Sequence, residues 1–276
     1  MKNTRIAFIG CGNMGQSLIG GLIANGHVPA ALRGADKDTA KLQALADRFG
    51  IEIFTDNIQA VADADVIVLA VKPQMLGDTV SRLYGHINEG QLIISIAAGI
   101  RLATLAQLLG AGQPVVRVMP NTPALIRNGA SALYSNTAVT PGQRDLTEAI
   151  MRSVGLAIWL DNEAAMDTVT ALSGSGPAYF FLVMEMMEKA AVRLGLPPAQ
   201  ARLLTLETAF GAAKMALETD VDAATLRRQV TSPGGTTEQA LKVLIEQGQL
   251  EQVFMDALSA AKRRSEELAA SLGDLK

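Results

Sequence analysis

The run Ser232-Pro233-Gly234-Gly235-Thr236-Thr237 holds the residue types best suited to chemistry in this chain. Two adjacent glycines bare their backbone N–H groups, two hydroxyls follow, and an apolar helical pattern resumes at Ala240-Leu241. Amides at the start of a helix carry partial positive charge, so the layout suits an anion with a hydroxyl beside it. A plain turn between helices, broken by Pro and Gly, has the same composition. A second glycine-rich turn gives the first reading its weight. Gly10-Cys11-Gly12-Asn13-Met14-Gly15 is G-x-G-x-x-G, directly after the apolar run 6–9 and ahead of a helical pattern. In that context Gly10 permits the tight turn, Gly12 lets the backbone approach a pyrophosphate, and Gly15 allows close helix–strand packing.

Asp36 lies 21 residues past Gly15, where an acid at the end of a second strand can accept from a ribose 2′-OH. Arg33 and Lys37 flank the same loop and could instead hold a 2′-phosphate. Asp36 is equally placed to cap the next helix. Lys72, after the run 65–71, could neutralise a phosphate or orient a ribose, and the small Ala97 and Ala98 leave room for a nicotinamide ring. Cys11 fills an x position and reads as small filler.

Of the two histidines, His27 follows the first helix and His86 lies in the polar stretch 84–91, so both read as solvated surface residues. Neither falls where a carbonyl reductase needs its acid. The chain lacks H-E-x-x-H, C-x-x-C and G-x-S-x-G spacings, so no metal site and no hydrolase elbow is expected. Reduction of a C=N bond fits better. An imine nitrogen is far more basic than a carbonyl oxygen, so its iminium forms near neutral pH and accepts hydride directly. One hydroxyl to orient the nitrogen and an anion cradle for a carboxylate then suffice.

The elements that must position these groups fall into two sets. Strand-like runs at 6–9, 31–35, 65–71, 91–96, 114–118, 131–134 and 155–160 alternate with helical patterns. That alternation predicts βαβ units and a parallel sheet. After Asp161 the chain reads as helices only, which sets an expected boundary between domains 1–161 and 162–276. Residues 179–194 are apolar on nearly every side, so that helix must be buried, in part against another subunit.

With 276 residues, 49% hydrophobic and 18% charged, the chain has the balance of an ordinary globular protein of two domains. A net charge of -3 and a single Trp offer nucleic acid neither a basic patch nor a stacking platform. One cysteine excludes an intrachain disulfide. No apolar run is long enough for a signal core or a membrane span, and the expectation is a cytoplasmic protein.

Six segments together resemble the Δ1-pyrroline-5-carboxylate reductase family: Phe8-Ile9-Gly10-x-Gly12-Asn13-Met14, Val71-Lys72-Pro73, Ser95-Ile96-Ala97-Ala98-Gly99, Met119-Pro120-Asn121-Thr122-Pro123, Ser173-Gly174-Ser175-Gly176-Pro177-Ala178-Tyr179, and the run 232–237. The resemblance spans the whole length. It implies a Rossmann-like α/β domain followed by an all-α dimerisation domain, the plan of 6-phosphogluconate dehydrogenases, with dimers that build into decamers of five.

By the same resemblance, Gly10, Cys11, Gly12, Asn13, Met14, Gly15, Ala35, Asp36 and Asn57 contact the cofactor, as do Ala70, Val71, Lys72, Pro73, Ala97 and Ala98. The backbone of Gly234, Gly235 and Thr236 holds the substrate carboxylate. Thr237 bonds the ring nitrogen and donates or relays the proton, and Val230 and Glu163 line the site. The cofactor implied is NADPH, with NADH as the alternative. Gly34-Ala35-Asp36 departs from the Ser that many members place beside the 2′-phosphate. Hydroxyacid dehydrogenases share the two-domain plan but use a lysine in the long helix, where this chain offers only Lys189 without a companion motif. A non-catalytic nucleotide sensor would have no use for the run 234–237.

Overall fold

The computed structural model describes residues 2–273. Its strands are β1 (Ile6–Ile9), β2 (Leu32–Ala35), β3 (Glu52–Phe54), β4 (Val66–Leu69), β5 (Leu92–Ser95), β6 (Val115–Met119), β7 (Gly129–Ser135) and β8 (Gly155–Trp159). Helices between and after them are α1 (Asn13–Ala24), α2 (Thr39–Phe49), α3 (Asn57–Val61), α4 (Pro73–Leu83), α5 (Leu102–Leu109), α6 (Pro141–Arg152) and α7 (Ala165–Val169). The chain continues with α8 (Gly176–Arg193), α9 (Pro198–Glu218), α10 (Ala223–Gln229), α11 (Thr236–Lys242) and α12 (Leu250–Gly273).

Among the described residues the strands form one sheet in the order β3-β2-β1-β4-β5-β6-β7-β8. Neighbours from β3 to β6 are parallel. Alternation along β1 gives the sheet two buried faces: Ile6 and Phe8 pack with Leu18, Ile19 and Leu22 of α1, while Ala7 and Ile9 pack with Leu76 and Val80 of α4. A strand buried on both sides reads as an unbroken apolar run, which is why β4, Val-Ile-Val-Leu, carries no polar residue. The strand order turns back between β1 and β4, and ligands of such sheets bind at the carboxyl ends there.

The expected all-parallel sheet needs a correction. β7 runs antiparallel to β6, and β8 returns parallel to β7. Nine residues separate Met119 from Gly129, too few for the crossover that a parallel neighbour requires. Strand β3 and helices α3, α4, α6 and α7 add to the elements read from the sequence. His27 is also not on the surface: it is only 3% exposed. Its amide bonds the Leu22 carbonyl at the end of α1, and that reversal turns its ring inward to the Thr4 carbonyl.

Two compact units emerge: Met1–Ser175 with Ala261–Lys276, and Gly176–Ala260. By contacts, residues 162–175 and α12 from Ala261 onward lie with the first unit. A buried polar knot accounts for this. Ser265 Oγ donates to Asp167 Oδ1 at 2.7 Å, and Arg101 pairs with Asp167 Oδ2 at 3.5 Å. In the second unit α8 leaves Phe180 and Phe181 68% and 64% exposed. Within one chain, the apolar surround expected to be buried is therefore uncovered. Among the described residues no helix is long and apolar enough to cross a membrane.

Candidate active site

Gly10 follows β1 directly and adopts φ +95°, a left-handed turn in which a Cβ would meet the Ala70 carbonyl oxygen at 2.8 Å. A Cβ on Gly15 would sit 2.7 Å from the Gly10 oxygen, so α1 lies against the turn. Around Gly12, in contrast, a Cβ would find nothing within 4 Å. Gly12 is the N-cap of α1 and gives the helix no side-chain cap. The first amides of α1 thus face open space, which fits a pyrophosphate.

Two cavities open at these strand ends. The first, about 230 Å³, is lined by Gly10, Gly12, Ala35, Asp36, Asn57 and the run 70–72, together with Lys37, Lys41, Met75 and Thr79. The second, about 300 Å³, is lined by Met14, the run 70–73, Ala97, Ala98, Ile96, Met119 and Pro120. Most of the residues assigned to the cofactor line one or both. Cys11, Asn13 and Gly15 line neither. Cys11 is fully buried, its Sγ 3.7 Å from the Ala35 carbonyl, and burial first, then the nearby Asp36 charge, pushes its thiol up to about 12. Burial and a raised thiol pKa both disfavour the thiolate, which suits the reading of Cys11 as filler.

Asp36 is fixed at the end of β2 by three donors: the Cys11 amide at 2.9 Å, the Asp38 amide at 3.1 Å and Lys41 Nζ at 3.0 Å. Burial opposes its ionisation, but these donors outweigh it and hold the carboxyl below its ordinary range. Asp36 does not cap α2. That position belongs to Asp38, whose side chain accepts from the Lys41 amide. Arg33, read as a candidate for a 2′-phosphate, is committed elsewhere: it pairs with Glu52 at 3.1 Å and donates to the Ala62 carbonyl. Lys41 went unassigned in the sequence, although the short turn from β2 into α2 brings its side chain back to Asp36.

Glu163 accepts from the Leu102 amide at the start of α5 at 2.7 Å and pairs with Arg117 of β6. These contacts fasten the start of the residue run 162–175 to the sheet. Asn121, also unassigned, donates to the Ser173 carbonyl at 3.1 Å and accepts from the Ala130 amide at 2.8 Å. It pins the π-helical turn Thr170–Gly174 that precedes α8.

In the second unit, Gly234 takes φ +72° and its amide donates to Glu238 Oε2 at 3.0 Å. The Gly235 amide closes the loop by bonding the Ser232 carbonyl at 3.0 Å. Of the three residues assigned to the substrate carboxylate, Thr236 therefore holds an amide that starts α11 and has no acceptor within the helix. Thr237 is half-buried and makes no hydrogen bond through its hydroxyl among the described residues. Val230 ends α10 and is exposed. Arg227, Arg228 and Lys242 line a cavity of about 300 Å³ with the carboxylates Glu238 and Glu246 and with Thr231, Leu241 and Ile245, so its charge is mixed. Lys189 forms an exposed i,i+4 pair with Glu185, which does not resemble a catalytic lysine.

Comparison with known proteins gives the same picture. Residues 163–268 match the family described as pyrroline-5-carboxylate reductase dimerisation, and residues 5–99 match NADP oxidoreductase coenzyme F420-dependent. A pyrroline-5-carboxylate reductase of Pseudomonas aeruginosa is 51% identical over 273 residues, covering 99% of this chain and 100% of the relative. A solved pyrroline-5-carboxylate reductase from Coxiella burnetii superposes with a TM-score of 0.92 at 45% identity, over 97% of this chain and 99% of that one. A Plasmodium falciparum pyrroline carboxylate reductase with NADP bound gives 0.85 at 30% identity, over 98% and 99%. Sheet order, glycine turn, helical unit and full-length identity agree, and the chain belongs to the pyrroline-5-carboxylate reductase family.

Proposed function

We propose that this chain reduces the C=N bond of L-1-pyrroline-5-carboxylate with NAD(P)H to give L-proline, the last step of proline biosynthesis. The observation that carries the reading is the loop before α11. One of its amides already binds a carboxylate, that of Glu238, and the hydroxyl of Thr237 is unengaged.

The glycine turn, Asp36, Asn57, Ala70 to Pro73, Ala97 and Ala98 are the residues proposed to hold the dinucleotide. When bound, its nicotinamide supplies the hydride. The amides of Gly234, Gly235 and Thr236 hold the substrate carboxylate, with Gly234 released from Glu238 and Gly235 from the Ser232 carbonyl. The Thr237 hydroxyl faces the ring nitrogen: it accepts from the N–H of the iminium, which becomes the amine when hydride adds to carbon, or it donates the proton to the neutral imine nitrogen as hydride adds. A hydroxyl is a poor acid at neutral pH, and an already basic imine nitrogen is a substrate that does not need a strong one. The resemblance assigns Val230 and Glu163 to the substrate as well, and Arg117 fixes Glu163 in its own unit.

The exposed apolar side of α8 and the match of 163–268 to a dimerisation domain support self-association. Five such dimers in a decamer, in the cytoplasm, is the assembly we favour. Incubation of the protein with pyrroline-5-carboxylate and NADPH or NADH tests the function. Nicotinamide oxidation with stoichiometric proline is expected. Absence of turnover with both cofactors overturns the assignment, and activity on hydroxy acids in its place would favour a dehydrogenase.

A further inference from the structure

An acid at the end of β2 suits the ribose hydroxyls of NADH and repels a 2′-phosphate. Cofactors with that phosphate nevertheless occur in the family, as in the Plasmodium structure. The question is which cation in this chain can offset Asp36.

Arg33 is excluded by its bonds to Glu52 and the Ala62 carbonyl. Lys37, Lys41 and Lys72 line the cavity beside Asp36, Lys72 from the N-cap of α4. They differ in placement. Lys41 rises from the first turn of α2, and its ammonium already sits 3.0 Å from Asp36 Oδ2. The other two donors on Asp36, the amides of Cys11 and Asp38, belong to the backbone and keep the carboxylate in place whether or not Lys41 stays. An ammonium has three donors on a flexible stem, so it can bridge a carboxylate and a phosphate at once. A third of the Lys41 side chain remains exposed, which leaves those donors accessible from the cavity.

We infer that Lys41 is a specificity-determining residue: its ammonium lets the Asp36 end of the cavity accept a 2′-phosphate, so the chain uses NADPH through Lys41 and NADH through Asp36. This rests on the cofactor reading above. It adds that one side chain separates the two cofactors.

Calorimetric titration with 2′-phospho-ADP-ribose and with ADP-ribose tests it without any turnover. Lys41→Gln should weaken the 2′-phosphorylated ligand by about tenfold or more, the scale of one charge-assisted contact, and leave ADP-ribose within about twofold. Lys41→Arg should restore most of the loss, and the KM values for NADPH and NADH should divide in the same way. Equal weakening of both ligands overturns the inference, as does a loss of the 2′-phosphorylated ligand in Lys37→Gln but not in Lys41→Gln. Failure of the unmodified protein to bind either ligand overturns it together with the cofactor reading, whereas binding of both with no effect at Lys41 leaves that reading standing.

Discussion

The Glu238 carboxylate accepts the Gly234 amide at 3.0 Å, so the loop assigned to a substrate carboxylate holds one of its own. Substrate must displace it. A hydrogen bond to a charged group is worth about 1.5–3 kcal/mol, less where solvent reaches it, so the competition is modest. Glu238→Ala should lower KM for pyrroline-5-carboxylate about three- to tenfold with kcat little changed. Steady-state kinetics decide the matter. A raised KM would mean that Glu238 serves the loop by holding Gly234 in its left-handed conformation.

In the proposed mechanism the chemical step depends on Thr237. Removing one positioned donor from a developing charge costs about 100-fold in kcat. Thr237→Val keeps the size and β-branching of the residue, so α11 should start as before and kcat should fall by about that factor. Thr237→Ser should recover most of it. KM for the nicotinamide cofactor should stay put. If Val and Ser variants turn over equally, the hydroxyl plays no part.

Much of this was legible in the residues. The turn 10–15 after an apolar strand pointed to the strand ends where the cavities open, and the apolar run of β4 placed the buried sheet. The reversal at β7 was also written there, since the stretch from 120 to 128 is too short for a parallel crossover. So was α6, whose start Thr140-Pro141-Gly142-Gln143 forms a capping box with Pro in the first turn. Contacts between distant segments were not legible. Glu163 finds Arg117 across 46 positions, and Ser265 finds Asp167 across 98. Sequence spacing sets which face of a helix is apolar. It does not set which strand end that helix overlies.

His27 gives the structure a pH dependence that its surface assignment would have hidden. The ring is buried, with Nε2 at 2.9 Å from the Thr4 carbonyl and Nδ1 without a partner among the described residues. Facing a carbonyl, Nε2 must carry the proton of a neutral ring. Burial, which outweighs the Thr4 contact, depresses the pKa from its ordinary 6.5. Above that value His27 is neutral both folded and unfolded, and pH does not matter through this group. As pH falls below it, the unfolded chain binds a proton that the folded chain refuses, so stability is lost on acidification. The thermal midpoint should therefore drop between about pH 7 and pH 5, where unperturbed carboxylates remain mostly ionised. His27→Gln, which retains a donor for Thr4, should flatten that part of the curve, with each kcal/mol recovered worth about 2–4 °C. The same change at His86, which lies exposed in the loop before β5, serves as the control and should leave the slope intact. A slope unchanged by His27→Gln would assign the acid sensitivity to other groups.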